Sequence, residues 1–145
     1  MKIFLDTSSL FKLYHKEADT NTIANIFNNY DVNTVFLSEL SKIEFFSIVW
    51  KKVRIQEIND LKAKEIVGHF ESDLTSYIFI PIDTTIVEQA ITLITKYGTQ
   101  GLRTLDSLQL STAVYLKNSA NLFITSDKLM DFFFKQESLP NEKPI

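Results

Sequence analysis

The sequence contains no cysteine, only three glycines and only two histidines among 145 residues. The lack of cysteine excludes disulfide bonds, thiolate metal sites and a cysteine nucleophile, and it is typical of chains kept in a reducing compartment. The glycines, Gly68, Gly98 and Gly101, stand outside any strand-to-helix turn, which argues against a glycine-rich phosphate-binding loop. Any metal must therefore be bound by oxygen or histidine ligands.

The chain also lacks two features: a pair of histidines in motifs that would let them act together in catalysis, and a long apolar run. His15 and His69 each lie in a helix-like segment with no partner motif, so we expect structural or surface roles for them rather than metal-free acid–base cleavage. No apolar run approaches the roughly 20 residues that span a bilayer, and Asp6 interrupts the N-terminal run too early for a signal peptide. We expect a cytoplasmic, soluble protein without a membrane partner, with one domain over 1–145.

Acidic side chains outnumber basic ones by 18 to 15, which gives a net charge of −3. Four carboxylates gathered in one metal site would account for −4 and leave +1 on the rest, so the global charge does not exclude RNA as a substrate. Six basic residues lie between 42 and 64, where Lys51, Lys52 and Arg54 are candidate RNA contacts. The same stretch is also typical of the solvated faces of two helices, and both interpretations stay open.

Short runs rich in β-formers alternate with longer segments of helical periodicity. The predicted strands are 2–5, 34–37, 77–82 and 121–125. The predicted helices are 19–30, 39–53, 56–75, 84–97, 103–118 and 128–134, with a further short helix after Asp6. This alternation predicts an α/β fold, a three-layer α/β/α sandwich with a central parallel sheet. The tail over 138–145 should be irregular or an edge strand.

Apolar spacing identifies the expected core. The helix over 103–118 should be largely buried, because its apolar residues from Leu105 to Leu116 recur at helical spacing. We expect Trp50 to pack in the core, and the three phenylalanines of 132–134 to be core or partner-facing aromatics rather than to stack on bases.

Two acidic residues directly follow predicted strands. Asp6 follows the first strand and Asp127 follows the last, and in an open parallel sheet ligands bind beyond the carboxyl ends of the strands. Glu44, early in the helix after the second strand, and Asp106, in the first turn of the buried helix, could reach the same crevice. Carboxylate oxygens suit Mg²⁺ or Mn²⁺, which favour hard oxygen ligands.

Each of these acids also has a purely structural interpretation. Asp6 and Asp127 can be helix N-caps, and Asp106 can complement a helix dipole. Glu44 can be the third residue of a capping box that starts at Ser41. Taken singly, no acid distinguishes the two interpretations.

Taken together, the four acids stand in segments that resemble PIN-domain nucleases, and more narrowly the VapC toxins of bacterial and archaeal toxin–antitoxin pairs. The matching segments are 4–10 (FLDTSSL), 40–45 (LSKIEF), 102–113 (LRTLDSLQLSTA) and 123–129 (FITSDKL). They span nearly the whole chain in the order typical of the family. One position departs from the pattern, because Gln109 stands where many relatives carry histidine.

The resemblance implies a single PIN-like nuclease domain over 1–145, a magnesium or manganese site and RNA as substrate. It also implies an antitoxin that covers the active site, and homodimers or higher assemblies. By position, the implied principal acids are Asp6, Glu44 and Asp106, with Asp127 as the fourth, Ser8 near the metal or its water, and Thr125 as a lesser candidate. The implied reaction is attack of metal-activated water on RNA, which leaves 5′-phosphate and 3′-hydroxyl ends.

Rival functions find less support in the residues. An aspartyl-phosphate phosphatase needs a second acid two residues after the first, where Ser8 stands, and neither Asp83 nor Lys128 has the setting of a phosphorelay receiver. A catalytically inactive PIN-like scaffold that binds RNA or protein remains an alternative. A nuclease that processes RNA without an antitoxin is another.

Overall fold

The computed structural model describes residues 1–16 and 20–141, and its centre is a parallel four-stranded sheet. The strands are β1 (Lys2–Leu5), β2 (Thr34–Ser38), β3 (Ile78–Ile80) and β4 (Leu122–Ile124), in the order β3-β2-β1-β4. In the centre of the sheet, Phe4 of β1 is in register with Phe36 of β2 and Phe123 of β4. β3 is shorter than predicted because Pro81 follows it directly and cannot donate a backbone hydrogen bond.

Helices follow or connect the strands. They are α1 (Thr7–Phe11), α2 (Thr20–Asn29), α3 (Leu40–Arg54), α4 (Asp60–Asp73), α5 (Thr84–Tyr97), α6 (Thr104–Tyr115) and α7 (Lys128–Gln136), with 3-10 turns at Leu74–Ser76 and Gly98–Gln100. Side-chain caps set several of the starts: Asn59 accepts from the Lys62 amide and Asp83 from the Ile86 amide. All predicted strands and helices are present, and their bounds differ from the predicted ones by at most four residues. The predicted start of one helix at 19 lies outside the described residues.

The alternation of side chains along β1 divides the core into two parts. Ile3 and Leu5 face a cluster that includes Phe11, Phe45 and Phe70 from the helices on one side of the sheet. On the opposite face, Phe4 packs in a second cluster with side chains from the helices there, among them Leu93, Leu110, Phe133 and Phe134. Helices therefore cover both faces of the sheet, and the predicted three-layer α/β/α fold is confirmed.

An aromatic cluster anchors the N-terminal half of α3, which matters because this segment carries Glu44. The ring of Phe45 is fully buried and stacks on Phe70 of α4 with a centroid distance of 4.0 Å. Tyr14 packs edge-on against both rings. The residue next to Glu44 is thus fixed by ring contacts to two other segments.

Two expectations about the core are wrong, those for Trp50 and Leu105. Trp50 and Leu105 are 43% and 51% exposed, respectively, and Phe132, for which a partner-facing position was the open alternative, is 40% exposed. Each lies on a helix whose core-facing side chains are its neighbours, such as Val49 beside Trp50 and Phe133 beside Phe132. Since successive helical residues are rotated by about 100°, an apolar residue next to a core position can point to solvent. The rest of α6 from Ser107 to Ala113 is buried or half-buried, as expected.

The tail after α7 returns to the edge of the sheet. The Phe123 amide donates to the Pro140 carbonyl at 2.8 Å, and Asn141 forms an isolated parallel bridge with Phe123. The expectation of an irregular tail or edge strand is met up to this bridge, and 142–145 lie outside the described residues. Within the described part of the chain, no helix is long and apolar enough to cross a bilayer.

Candidate active site

All four candidate acids line one cavity of about 170 Å³ at the carboxyl edge of the sheet. Its walls include Asp6, Glu44, Asp106 and Asp127, together with side chains of α1, α3, α6 and α7. The structure therefore brings together residues that are up to 121 positions apart in the chain.

The sheet order explains the convergence of Asp6, Glu44 and Asp127. Asp6 follows β1 directly, and Asp127 stands at the N-cap of α7, just after the neighbouring strand β4. Glu44 lies in α3, which follows β2 on the other side of β1, and Asp106 lies in the first turn of α6. Because the strands are parallel, the segments after β2, β1 and β4 all emerge at the same edge of the sheet.

Asp6 is almost fully buried, and both of its carboxylate oxygens accept hydrogen bonds. Oδ1 accepts from the Ser8 hydroxyl at 2.7 Å and from the Ser9 amide at 3.1 Å, and Oδ2 accepts from the Thr125 hydroxyl at 2.5 Å. Burial raises the pKa of Asp6 to about 6, against the opposing effect of the hydrogen bonds from Thr125 and Ser8. The nearby charge of Asp127 raises this pKa further but is the smallest of the causes.

Hydroxyl groups join the turn after β1 to the turn after β4. Ser8 Oγ accepts from the Ser126 amide at 3.0 Å, and Thr125 Oγ1 accepts from the Asp127 amide at 3.0 Å. Asp127 is exposed, and its Oδ1 caps α7 by accepting from the amides of Leu129 at 2.8 Å and Met130 at 3.3 Å. Both Ser8 and Thr125, predicted to stand near the site, thus donate directly to Asp6.

Glu44 is held through one oxygen. Its Oε1 accepts from the Thr7 hydroxyl at 2.8 Å and from Gln109 Nε2 at 2.8 Å. The capping-box interpretation of Glu44 is wrong, because α3 begins at Leu40 and Ser41 is a buried residue inside the helix. Instead of capping α3, the Ser41 hydroxyl contacts Thr7 at 2.9 Å and Gln109 at 3.0 Å.

Asp106 differs from the other three acids because no described residue donates a hydrogen bond to its side chain. It is half-buried, and its pKa is raised first by burial and then by the charges of Asp127 and Glu44. Arg103, at the N-cap of α6, opposes this shift. Asp127 and Glu44 thus lie close enough to Asp106 for their charges to act on it.

Arg103 was not identified from the sequence as a site residue. Its side chain is exposed and lines a second cavity of about 320 Å³ together with Glu44, Thr104, Leu105 and Asp106. A guanidinium at this position can contact a phosphate next to the acids. The signal that could have found Arg103 is a basic residue one helical turn before an acid in a matching segment.

The donor set suits a hard divalent cation, although the acids do not form a closed cage. Within residues 1–16 and 20–141, no three acidic or histidine side chains come close enough together to hold one metal ion between them. Mg²⁺ is usually bound by one or two carboxylates, and waters and substrate oxygens complete its coordination. The Asp106 carboxylate and Glu44 Oε2, which no described residue hydrogen-bonds, fit such an open arrangement.

The three candidate RNA contacts at the end of α3 differ in how free their side chains are to bind a phosphate. Lys51 and Arg54 are exposed, whereas Lys52 pairs with Glu57 at 2.8 Å and lies over the ring of Phe11. Lys51 follows Glu44 by seven residues, which places it on the same face of α3 about 10 Å further along the helix. Of the three, Lys51 and Arg54 are therefore better placed than Lys52 for a phosphate.

Comparison with known proteins gives a family and a fold. The PIN domain family model matches residues 3–132. Three solved structures are similar at 17–18% identity: VapBC2 from Rickettsia felis bound to a promoter DNA fragment, FitAcB from Neisseria gonorrhoeae, and a toxin–antitoxin complex from Klebsiella pneumoniae. In that order, the TM-scores are 0.65, 0.71 and 0.59, and the matches cover 98%, 98% and 86% of this chain and 98%, 97% and 86% of theirs. No curated protein sequence is significantly similar to the chain.

Proposed function

The chain belongs to the PIN domain family, and from this membership we propose that it is a metal-dependent endoribonuclease that uses Mg²⁺ or Mn²⁺. The observation that carries the proposal is the convergence of Asp6, Glu44, Asp106 and Asp127 on one cavity. Such a cluster is unfavourable for a purely structural site, because burial and the charges of neighbouring acids raise the pKa values of Asp6 and Asp106 and so oppose their ionisation. A divalent cation offsets both effects.

In this proposal Asp6, Glu44 and Asp106 are the principal acids of the metal site and Asp127 is the fourth. One or two of these carboxylates would bind the ion directly and the others through water, since no three acids of the described residues come close enough to hold it between them. When bound, the ion supplies Lewis acidity and a water of lowered pKa for attack on the phosphodiester. Ser8 and Thr125 prevent rotation of the Asp6 carboxylate by donating to its two oxygens.

The surrounding residues would orient water and RNA. The Asp106 carboxylate, which no described residue hydrogen-bonds, can accept from a water at the cavity edge. Arg103 can offset the charge of a phosphate in the adjoining cavity of about 320 Å³. Hydrolysis by this route leaves a 5′-phosphate and a 3′-hydroxyl, so detection of 2′,3′-cyclic phosphate ends would reject it.

The test of the proposed function is the variant Asp106→Asn, which keeps the side-chain shape and removes the charge that a hard cation requires. Magnesium-dependent cleavage of RNA, and any growth arrest on expression, should disappear, with an unchanged circular dichroism spectrum. Wild-type protein with chelator serves as the metal-free control. Full activity of Asp106→Asn would show that the site is elsewhere.

We further propose that Lys51 and Arg54 bind RNA phosphates. Replacing both with alanine should weaken binding to any single-stranded RNA and reduce the log–log salt slope by about 1.4, since each phosphate contact contributes about 0.7. The matched control replaces Lys62 and Lys64, two exposed lysines of α4, and should leave the slope nearly unchanged. Equal slopes for the two double variants would mean that Lys51 and Arg54 are only solvated helix residues.

A toxin role with a protein antitoxin is the biological setting that we propose. The structural neighbours include a toxin–antitoxin complex, although at their low identity they show the fold alone. An apolar cavity of about 220 Å³ beside Glu44, lined in part by the exposed Ile43 and Leu105, offers a surface on which a partner segment could cover the acids. An upstream reading frame for a small protein with an apolar C-terminal segment would support this setting, and homodimers or higher assemblies belong to the same proposal.

Two alternatives keep the fold and change the role. An RNA-processing nuclease without an antitoxin would show the same metal-dependent cleavage from an isolated gene. An inactive scaffold that binds RNA or protein would show binding with no cleavage in either magnesium or manganese.

A further inference from the structure

A buried glutamine donates to a candidate metal ligand across the site. Gln109 of α6 is 3% exposed, and its Nε2 lies 2.8 Å from Glu44 Oε1 and 3.0 Å from the hydroxyl oxygens of Thr7 and Ser41. The other end of the same amide, Oε1, is buried without a hydrogen-bond partner among the described residues. Gln109 also lines the cavity that holds the four acids.

We propose that Gln109 is a positioning residue that fixes the Glu44 carboxylate for metal binding; this inference rests on the proposed function. Gln109 does not itself bind the ion or the RNA. Together with the Thr7 hydroxyl, its amide occupies Oε1 of Glu44 and leaves Oε2 available to the ion.

The donors and acceptors of the network have a consistent direction. The Thr7 hydroxyl donates to Glu44 Oε1, which leaves the Ser41 hydroxyl as the donor to Thr7. The two protons of Gln109 Nε2 can then serve Glu44 Oε1 and the Ser41 oxygen. Donors from α1, α3 and α6 thus lead toward one carboxylate oxygen.

The orientation of the amide follows from the same contacts. A reversed amide would place the Gln109 carbonyl oxygen 2.8 Å from Glu44 Oε1, where two acceptors would face each other without a proton. The observed orientation avoids this but leaves Gln109 Oε1 buried and unpaired. Since unpaired buried acceptors disfavour folding, the arrangement is better explained by its effect on Glu44 than by stability.

This arrangement makes the two oxygens of Glu44 different. Oε1 accepts two hydrogen bonds, whereas no described residue donates to Oε2. We therefore expect Glu44 to bind the ion through Oε2 alone. Loss of the amide would let the carboxylate rotate about its χ angles and weaken this contact, because residues that hydrogen-bond to metal ligands hold them in orientation.

The test is calorimetric titration of Mn²⁺ into metal-free protein, without RNA. Gln109→Met keeps the length of the side chain and removes the donor, and Gln109→Leu provides a second variant if the first is unstable in a thermal melt. Either should weaken Mn²⁺ binding by about 10- to 100-fold, the usual effect of removing such a hydrogen bond. Ser111→Ala is the matched control, because Ser111 is another buried polar residue of α6 that donates to the Ile86 carbonyl and does not line the cavity of the four acids, so it should change the affinity only slightly.

A double-mutant cycle separates positioning from a structural role. In the Glu44→Gln background, Gln109→Met should cause no further loss of Mn²⁺ affinity, since the group that it positions is gone. In RNA cleavage, Gln109→Met should lower kcat and leave KM nearly unchanged.

The possible failures have different meanings. If wild-type protein binds no Mn²⁺, the proposed function fails and the role of Gln109 fails with it. If wild type binds Mn²⁺ and the folded Gln109 variants bind it equally well, only the role of Gln109 is overturned. An undiminished effect of Gln109→Met in the Glu44→Gln background would also overturn it.

Discussion

The chain contains two similar units in which a strand leads through an acid into a helix: β1–Asp6–α1 and β4–Asp127–α7. The strands are parallel neighbours, and in both units a carboxylate oxygen caps the following helix. Yet Asp6 is 5% exposed and Asp127 is open to solvent. Two nearly identical local patterns therefore place a carboxylate in very different surroundings.

The difference comes from the neighbours of each acid. Asp6 is covered because its strand β1 lies between β2 and β4, and hydroxyls from its own turn and from Thr125 satisfy both oxygens. Asp127 follows β4 at the edge of the sheet and uses Oδ1 to cap α7, while no described residue donates to Oδ2. Helix capping and metal binding are thus compatible in one side chain, since a carboxylate has two oxygens with several acceptor sites.

The largest expected difference between the units is in catalysis. Asp6→Asn should reduce magnesium-dependent RNA cleavage by at least about 100-fold, because even partners that only orient metal ligands contribute about 10- to 100-fold. Asp127→Asn should cost about 10-fold, because in our proposal the exposed carboxylate is only the fourth acid of the metal site and water could replace it. Single-turnover cleavage rates at saturating magnesium measure both. A greater loss of cleavage rate in Asp127→Asn than in Asp6→Asn would show that Asp127, and not Asp6, is the more important of the two acids.

The second prediction concerns the dependence of stability on pH. The folded-state pKa of Asp6 is about 6, above the unfolded value of about 3.9, so the folded state binds the proton more tightly. The resulting destabilisation is absent below about pH 4, grows up to about pH 6 and is constant above it. In chelator, the stability of Asp6→Asn relative to wild type should therefore rise by about 2 to 3 kcal/mol between pH 4 and pH 7.

Urea unfolding of the metal-free proteins at several pH values measures this difference. Asp106→Asn should show a change of the same sign, because burial and nearby acids raise the pKa of Asp106 as well. A difference between Asp6→Asn and wild type that stays constant from pH 4 to pH 7 would contradict a raised pKa at Asp6. Burial, and not the charge of Asp127, is the largest cause of the raised pKa of Asp6. The pH-dependent stability difference between Asp6→Asn and its parent should therefore persist when both proteins also carry Asp127→Asn.

The smallest expected effect isolates the capping role of Asp127. Asp127→Ala should lower the free energy of unfolding of the metal-free protein by about 1 kcal/mol, since the amides of Leu129 and Met130 lose their acceptor. Asp127→Asn is the control, because asparagine also caps helices and should be nearly neutral. If both variants lose the same stability in urea unfolding, the charge of Asp127 rather than its capping oxygen stabilises α7.

Much of the site could be predicted from the sequence because two of its acids lie in recognisable strand-to-helix turns. Asp6 and Asp127 follow short β-rich runs and precede helices, and both are found where such turns meet in a parallel sheet. The family resemblance added Glu44 and Asp106, and the family is confirmed over residues 3–132. Whether the four acids bind a metal stays a prediction.

The contacts of Glu44 could not be predicted in the same way. The spacing from Ser41 to Glu44 suggested a capping box, but both residues interact with Thr7 and Gln109 from other helices. Gln109 is 65 positions away from Glu44, and nothing in the residue pattern of either segment indicates that the two side chains meet. Likewise, only the packing of α3 shows that Lys52 is engaged by Glu57 and Phe11.

By itself, the sequence determined the order of strands and helices, the parallel three-layer architecture and the acids at the strand ends. These features depend on side-chain periodicity and on turn residues within a few positions, so they can be read locally. Tertiary structure alone decided that Asp6 is buried while Asp127 is exposed, and that Gln109 leaves one oxygen of Glu44 unoccupied. Burial and hydrogen-bond pairing depend on which distant segments meet, and that choice is made by packing of the whole chain around the sheet.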